Sequence, residues 1–168
     1  MRNKSMEQMY VDVQIKWIKK LEGDKYNVVY SEDDDYVYLG SVYHLVRIPK
    51  AFCVFDKVAL SNMFPSSFQI RGRVPELFNL YVVRAIENMH DTNVVHIKDG
   101  KKIRVFECDT DSDVKYYINE KLLDEIKAFP VDGYRCSGEN NTAIVAVMYG
   151  SPIAIIMPVR NEAFSKKV

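Results

Sequence analysis

The sequence has few cysteines, and their arrangement points neither to a disulfide framework nor to a metal centre. Three are present among 168 residues, at positions 53, 108 and 136. Their number is odd, they lie far apart, and no Cys-x-x-Cys or mixed Cys/His ligand spacing occurs. This usage predicts reduced thiols and a cytoplasmic location.

Long apolar runs and the common catalytic motifs are also missing. No apolar stretch reaches the roughly 18–20 residues of a membrane-spanning helix, and no charged-then-apolar leader opens the chain. Gly-rich phosphate loops, Gly-x-Ser-x-Gly and His-x-x-x-His do not occur. We therefore expect no membrane association, no cofactor and no assembled catalytic centre.

An excess of charge of one sign is lacking as well. Lys+Arg and Asp+Glu both number 23, so the formal net charge is zero. This balance excludes a strongly basic, non-specific nucleic-acid binder but permits a local basic surface. Residues 10–22 predict an amphipathic helix whose polar side carries Lys16, Lys19 and Lys20. These lysines are the candidate DNA contacts, and a solvated helix face is the alternative.

The two ends of the chain share one order of predicted elements. The first helix is followed by β-rich runs at 26–31, 36–40 and 42–49. Near the C-terminus a short run at 116–118 precedes a helix at 119–129 and further runs at 134–138, 142–150 and 151–160. We interpret this as a duplicated βαβββ unit in a single domain, 1–168, with halves at about 9–50 and 115–160 joined by 51–114. The alternative is a chance likeness of two α+β segments.

The middle of the chain has mixed patterns. We predict a strand at 51–56, a helix at 57–64, and a polar, glycine-broken stretch at 68–74. The pattern of residues 75–90 predicts a helix, although the adjacent Val82 and Val83 leave a strand as the alternative interpretation. Residues 94–108 predict a hairpin around Asp99-Gly100, a two-residue turn pair.

Acidic residues give a further candidate site. Asp109, Asp111, Asp113 and Glu120 have the spacing of a calcium loop, but Val114 stands where such a loop needs glycine. An acidic turn is the favoured interpretation, as it is for residues 32–35. An alternative function is that of a metal-dependent enzyme acting on nucleic acid, which would use the aspartates at 109, 111 and 113.

The C-terminal region resembles a known family. The stretch YYINEKLLDEIKAF (116–129), followed by strands that close on Met157-Pro158-Val159-Arg160, is similar to the last domain of the bacterial DNA polymerase III sliding clamp. The resemblance implies an α+β fold of duplicated βαβββ units, with helices on one face of antiparallel sheets. It also implies a non-enzymatic binding module of DNA replication or repair, for which a phage or mobile element is the expected source.

The same resemblance implies partners. In the family, peptides from polymerases and repair proteins dock beside the terminal motif, so Met157, Pro158, Val159 and Arg160 are the expected peptide-binding residues. DNA is the second expected partner, through the first helix. A homo-oligomeric structural protein remains an alternative, because the chain has eleven tyrosines and tyrosine is enriched at interfaces.

Overall fold

The helices lie close to the predicted positions. The computed structural model describes residues 5–24, 27–41, 43–72, 74, 84–98, 100–110, 115–127, 129–137 and 142–159. These residues contain three α-helices, α1 (Met6–Asp24), α2 (Lys57–Met63) and α3 (Glu120–Ile126), and a 3-10 helix at Lys50–Phe52. The Asn119 side chain accepts a hydrogen bond from the Lys121 amide at 3.0 Å and caps α3 as predicted. Helix α3 ends three residues before the predicted position, Phe129.

Ten strands form one continuous sheet. They are β1 (Val28–Glu32), β2 (Tyr36–Gly40), β3 (His44–Pro49), β4 (Phe68–Ile70), β5 (Arg84–Lys98), β6 (Lys101–Thr110), β7 (Lys115–Asn119), β8 (Gly133–Cys136), β9 (Ile144–Met148) and β10 (Ser151–Ile156). The order across the sheet is β4-β1-β2-β3-β10-β9-β8-β5-β6-β7. Every neighbouring pair is antiparallel except β1 and β4, which are parallel. The α+β class is therefore confirmed.

Two three-stranded meanders meet at the centre of this order. Strand β3 pairs with β10, with Val46 opposite Ala154 and His44 opposite Ile156. Moving outward, β2 and β1 on one side mirror β9 and β8 on the other. One helix precedes each meander, and α1 and α3 contact each other. Within the described residues no strand precedes α1, whereas β7 precedes α3.

The long strand β5 corrects the prediction of a helix at 75–90. Residues 84–90 are strand, and positions 75–83 lie outside the described residues. Strand β5 pairs with β8 at Arg84 and Ala85, and with β6 along most of its remaining length. Pairing on both sides overrides the local helical pattern. The predicted hairpin is confirmed, since Lys98 lies opposite Lys101 and Gly100 has a φ of 75°.

The predicted strand at 51–56 is wrong. The 3-10 helix occupies its start, and the following residues have no strand partner. The buried Gln14 of α1 takes the place of a partner strand here. Its Nε2 donates to the Phe52 carbonyl at 2.7 Å, and its Oε1 accepts from the Val54 amide at 2.8 Å. Strand β4, in the glycine-broken stretch, was not predicted.

Buried side chains on the two faces of the central strands form separate clusters. The larger cluster unites α1 and α3 with one face of both meanders, and it includes Trp17, Val46, Ile126 and Ile156. The smaller cluster lies on the alternate residues and consists of Val29, Tyr38, Leu45, Val74, Val145, Val147 and Ile155. Successive strand residues point to opposite faces, so the two clusters lie on opposite sides of the central strands. Both faces of these strands are therefore buried.

Replacing Gln14 by leucine should lower the free energy of unfolding by about 2 kcal/mol, because the Phe52 carbonyl and the Val54 amide lose their partners. Urea denaturation followed by circular dichroism measures the loss. Gln8→Leu is the matched control, since Gln8 is exposed and its side chain bonds only within α1, to Asp12 at 2.8 Å. Equal stability of the two variants would contradict the structural role of Gln14.

Candidate functional site

The three residues after β10, Met157–Val159, are named the strap. The Met157 amide donates to the Tyr43 carbonyl at 2.8 Å, just before β3. The Val159 amide donates to the Tyr117 carbonyl at 2.8 Å, in the middle of β7. Pro158 between them has no amide proton to donate. The strap therefore connects the centre of the sheet to its terminal strand. Arg160 lies outside the described residues.

A tight turn before β3 positions the Tyr43 carbonyl. Gly40 ends β2, and a Cβ there would lie 2.1 Å from the His44 carbonyl oxygen, so only glycine fits. The Ser41 amide donates to that same oxygen at 2.9 Å, and the Ser41 hydroxyl accepts from the Tyr43 amide at 3.1 Å. The turn is thus closed by one backbone and one side-chain contact, which fix the first anchor of the strap.

The side chain of His44 is buried beneath this turn. Its ring lies 4.1 Å, centroid to centroid, from the ring of Trp17 on α1, and its Nδ1 is 2.8 Å from the Ser41 hydroxyl. Both rings are 2% exposed. Burial, with smaller contributions from the positive charges of Lys20 and Lys121, lowers the pKa of His44 to about 3. The imidazole is therefore neutral near pH 7 and acts as a packing group.

Two apolar side chains remain accessible at the first anchor. Tyr43 is 47% exposed and Met157 is 37% exposed, and the hydrogen bond between their backbones holds them side by side. Pro158 and Val159 are partly buried. Three of the four predicted peptide-binding residues thus lie in the strap, and the strap contacts Tyr43 and Tyr117, which the sequence analysis did not name.

The predicted DNA-contacting lysines lie on α1 as expected. Lys16 and Lys19 are exposed, and Lys20 is partly buried. The ammonium group of Lys16 donates to the Asp124 carbonyl at 3.4 Å, near the end of α3. Lys20 and Lys121 both act on His44, so one positive charge from each of α1 and α3 lies near its ring.

Comparison with known proteins finds no match for this chain. A scan against protein-family models, a search of curated proteins and a search of solved structures each return no match. The candidate site is therefore defined by its own contacts.

Two of the four carboxylates at the tip of the first hairpin, those of Glu32 and Asp33, have internal partners. Asp33 accepts hydrogen bonds from the amides of Asp35 and Tyr36 at 2.9 and 2.7 Å, and from the Tyr38 hydroxyl at 2.6 Å. Glu32 forms an ion pair with Lys57. These contacts hold the turn in place, which is a structural role.

The second acidic group is only partly described. Asp109 pairs with Lys115 at 3.5 Å, and Glu120 lies 3.9 Å from Arg104. Asp111 and Asp113 lie outside the described residues. Across the part of the chain that the structure describes, no group of three His, Cys, Asp or Glu side chains is placed to hold a metal ion. No helix in that same part is long and apolar enough to cross a membrane.

The thiols are packing groups. Cys108 and Cys136 are buried, Cys53 is partly buried, and none forms a disulfide. Burial raises the pKa of Cys108 to about 12 and also raises that of Cys53. Since the thiolate is the nucleophilic form, neither of these two environments activates its cysteine.

Stability should fall on acidification through His44. Its pKa is about 3 when folded against an ordinary value of 6.5, so the unfolded chain binds more protons between these values. His44 should therefore destabilise the fold as pH falls below 6.5, by about 2 kcal/mol at about pH 5. Urea denaturation of wild type and of His44→Phe, at pH 6.5 and at about pH 5, isolates this contribution when it is followed by circular dichroism. An identical pH dependence of the two proteins would contradict it.

Proposed function

We propose that this chain is a non-enzymatic, clamp-like binding module of DNA replication or repair that holds an extended partner peptide beside the strap. The observation that carries the proposal is the pair of exposed apolar side chains, Tyr43 and Met157, fixed side by side where the two meanders meet. Extended peptides are recognised by a sheet edge that offers backbone groups, with neighbouring apolar surface for specific side chains. The strap connects this apolar pair to such an edge, the terminal strand β7.

The strand order supports the duplicated, clamp-like architecture that belongs to this proposal. The two meanders occupy mirrored positions about β3 and β10, each follows one helix, and the two helices touch. Buried residues of both helices belong to the same cluster on the same face of the strands. A duplicated unit of one helix followed by three strands accounts for this arrangement, and among the described residues only the second helix also has a strand, β7, before it.

Tyr43→Ala should weaken the binding of a peptide taken from a polymerase subunit that binds bacterial sliding clamps. We expect a loss of about five- to thirtyfold, the effect of removing an interface aromatic that contributes on the order of 1–2 kcal/mol. Met157→Ala should act in the same direction. Isothermal titration calorimetry on the full chain measures both effects.

Tyr149→Ala is the matched control for the peptide experiment. Tyr149 is 73% exposed at the turn between β9 and β10. It lies at the far end of β10 from the strap, a strand of six residues, or about 20 Å. An equal loss in the Tyr43 and Tyr149 variants, or no binding to the wild type, would refute the peptide site.

DNA contact through α1 is a separate part of the proposal. Lys16 and Lys19 are exposed on α1, and Lys20 and Lys121 place further positive charge near His44. Phosphate groups neutralised by such lysines release counterions, so binding of this kind weakens as salt rises.

Alanine at Lys16, Lys19 and Lys20 together should weaken duplex DNA binding and flatten its salt dependence. Each lost phosphate contact reduces the slope of log K against log salt by about 0.9. Fluorescence anisotropy with a short duplex between about 50 and 200 mM salt measures this change. The control variant has alanine at Lys50, Lys57 and Lys102. Its net charge is the same as that of the α1 triple variant. If both triple variants bind alike, the α1 surface is not the contact.

A further inference from the structure

Strand β7 is the terminal strand of the sheet, and the strap covers part of its outer edge. On its inner side β7 pairs with β6 from Lys115 to Asn119, with Tyr117 opposite Glu107. The Tyr117 carbonyl accepts from Val159, so it points away from β6. In an antiparallel strand the amide and carbonyl of one residue point to the same side, and alternate residues share that direction. Strand β7 therefore presents a backbone edge on which the strap is seated.

The two anchors of the strap differ in strength of attachment. Met157 directly continues β10, whose last residue, Ile156, is fully buried and paired with both β3 and β9. Beyond Pro158, the Val159–Tyr117 hydrogen bond is the backbone contact described between the strap and β7. Residues beyond the end of a paired core strand open more readily than the strand itself.

We propose that the outer edge of β7 is the attachment site for the backbone of the partner peptide, and that Val159 occupies this site when no peptide is bound. The inference rests on the proposed peptide-binding function and adds to it the mode of attachment. The incoming peptide donates a backbone N–H to the Tyr117 carbonyl and places an apolar side chain on Tyr43 and Met157. The Met157 anchor stays closed while the Val159 anchor lifts.

The geometry explains why the strap suits this role. It carries an apolar residue on either side of Pro158, and the amides of Met157 and Val159 donate to the carbonyls of Tyr43 and Tyr117. A peptide that takes the place of Val159 on the Tyr117 carbonyl reaches the exposed side chains of Tyr43 and Met157, because the strap connects the same two places. The tethered strap competes with it at an effective concentration of about millimolar, so removing its donor should expose the edge.

The experiment compares Val159→Pro with Val159→Ala in the full chain. Proline removes the amide proton that Tyr117 accepts, and alanine keeps it. The probe is a synthetic, end-blocked hexapeptide with the sequence of residues 156–161, IMPVRN. Val159→Pro should bind it at least tenfold more tightly than wild type, with chemical-shift changes at Tyr117 and Ile118, and Val159→Ala should match wild type. Folded Val159→Pro that binds no more tightly than wild type would overturn the inference.

Hydrogen exchange on the wild type provides a measurement that does not depend on the folding of a variant. The Val159 amide should exchange at least a hundredfold faster than the amides of Met157 and Ile155. Equal rates would overturn the inference. The sliding-clamp peptide separates the two proposals. If it binds wild type and Val159→Pro equally, the proposed function stands and the β7 edge is not its attachment site.

Discussion

The antiparallel pairing of β3 with β10 is the constraint on which the rest of the structure depends. It joins strands from the two ends of the chain and places the two meanders in one sheet. Both faces of this pair are buried, one against α1 and α3 and the other within the smaller cluster. Continuous apolar runs such as residues 153–156 follow from this two-sided burial. The pairing also brings Tyr43 next to Met157.

Side chains satisfy the backbone in several places where the strands end. Gln14 binds the segment after β3, Ser41 closes the turn before β3, and Asp33 closes the turn between β1 and β2. Each is a short-range or helix-borne contact that replaces a missing strand partner. The connections thereby stay fixed, and the candidate site inherits its geometry from the turn at Ser41.

The sequence predicted those elements whose pattern is local. Strand β2 and the hairpin at 99–100 were placed correctly, because alternation and a two-residue turn suffice to define them. The helix over 84–90 was wrong because pairing with distant β6 and β8 decides that segment. The strand over 51–56 was wrong because its partner is the side chain of Gln14, far away along the chain.

The candidate site was predictable only in part, for a related reason. Met157, Pro158 and Val159 form a short continuous motif, so the sequence pointed to them directly. Tyr43 and Tyr117 join them through strand pairing that no local pattern reveals. No local pattern in the sequence indicated that the Tyr43 carbonyl anchors the C-terminal segment.

The ring contact between Trp17 and His44 has a spectroscopic consequence. Trp17 is the single tryptophan of the chain, so intrinsic fluorescence excited at the indole band arises from one position, directly below the turn that anchors the strap. Its indole is buried against the imidazole at 4.1 Å. Emission wavelength and quenching therefore report on the junction of α1 with the centre of the sheet, and no label has to be introduced there.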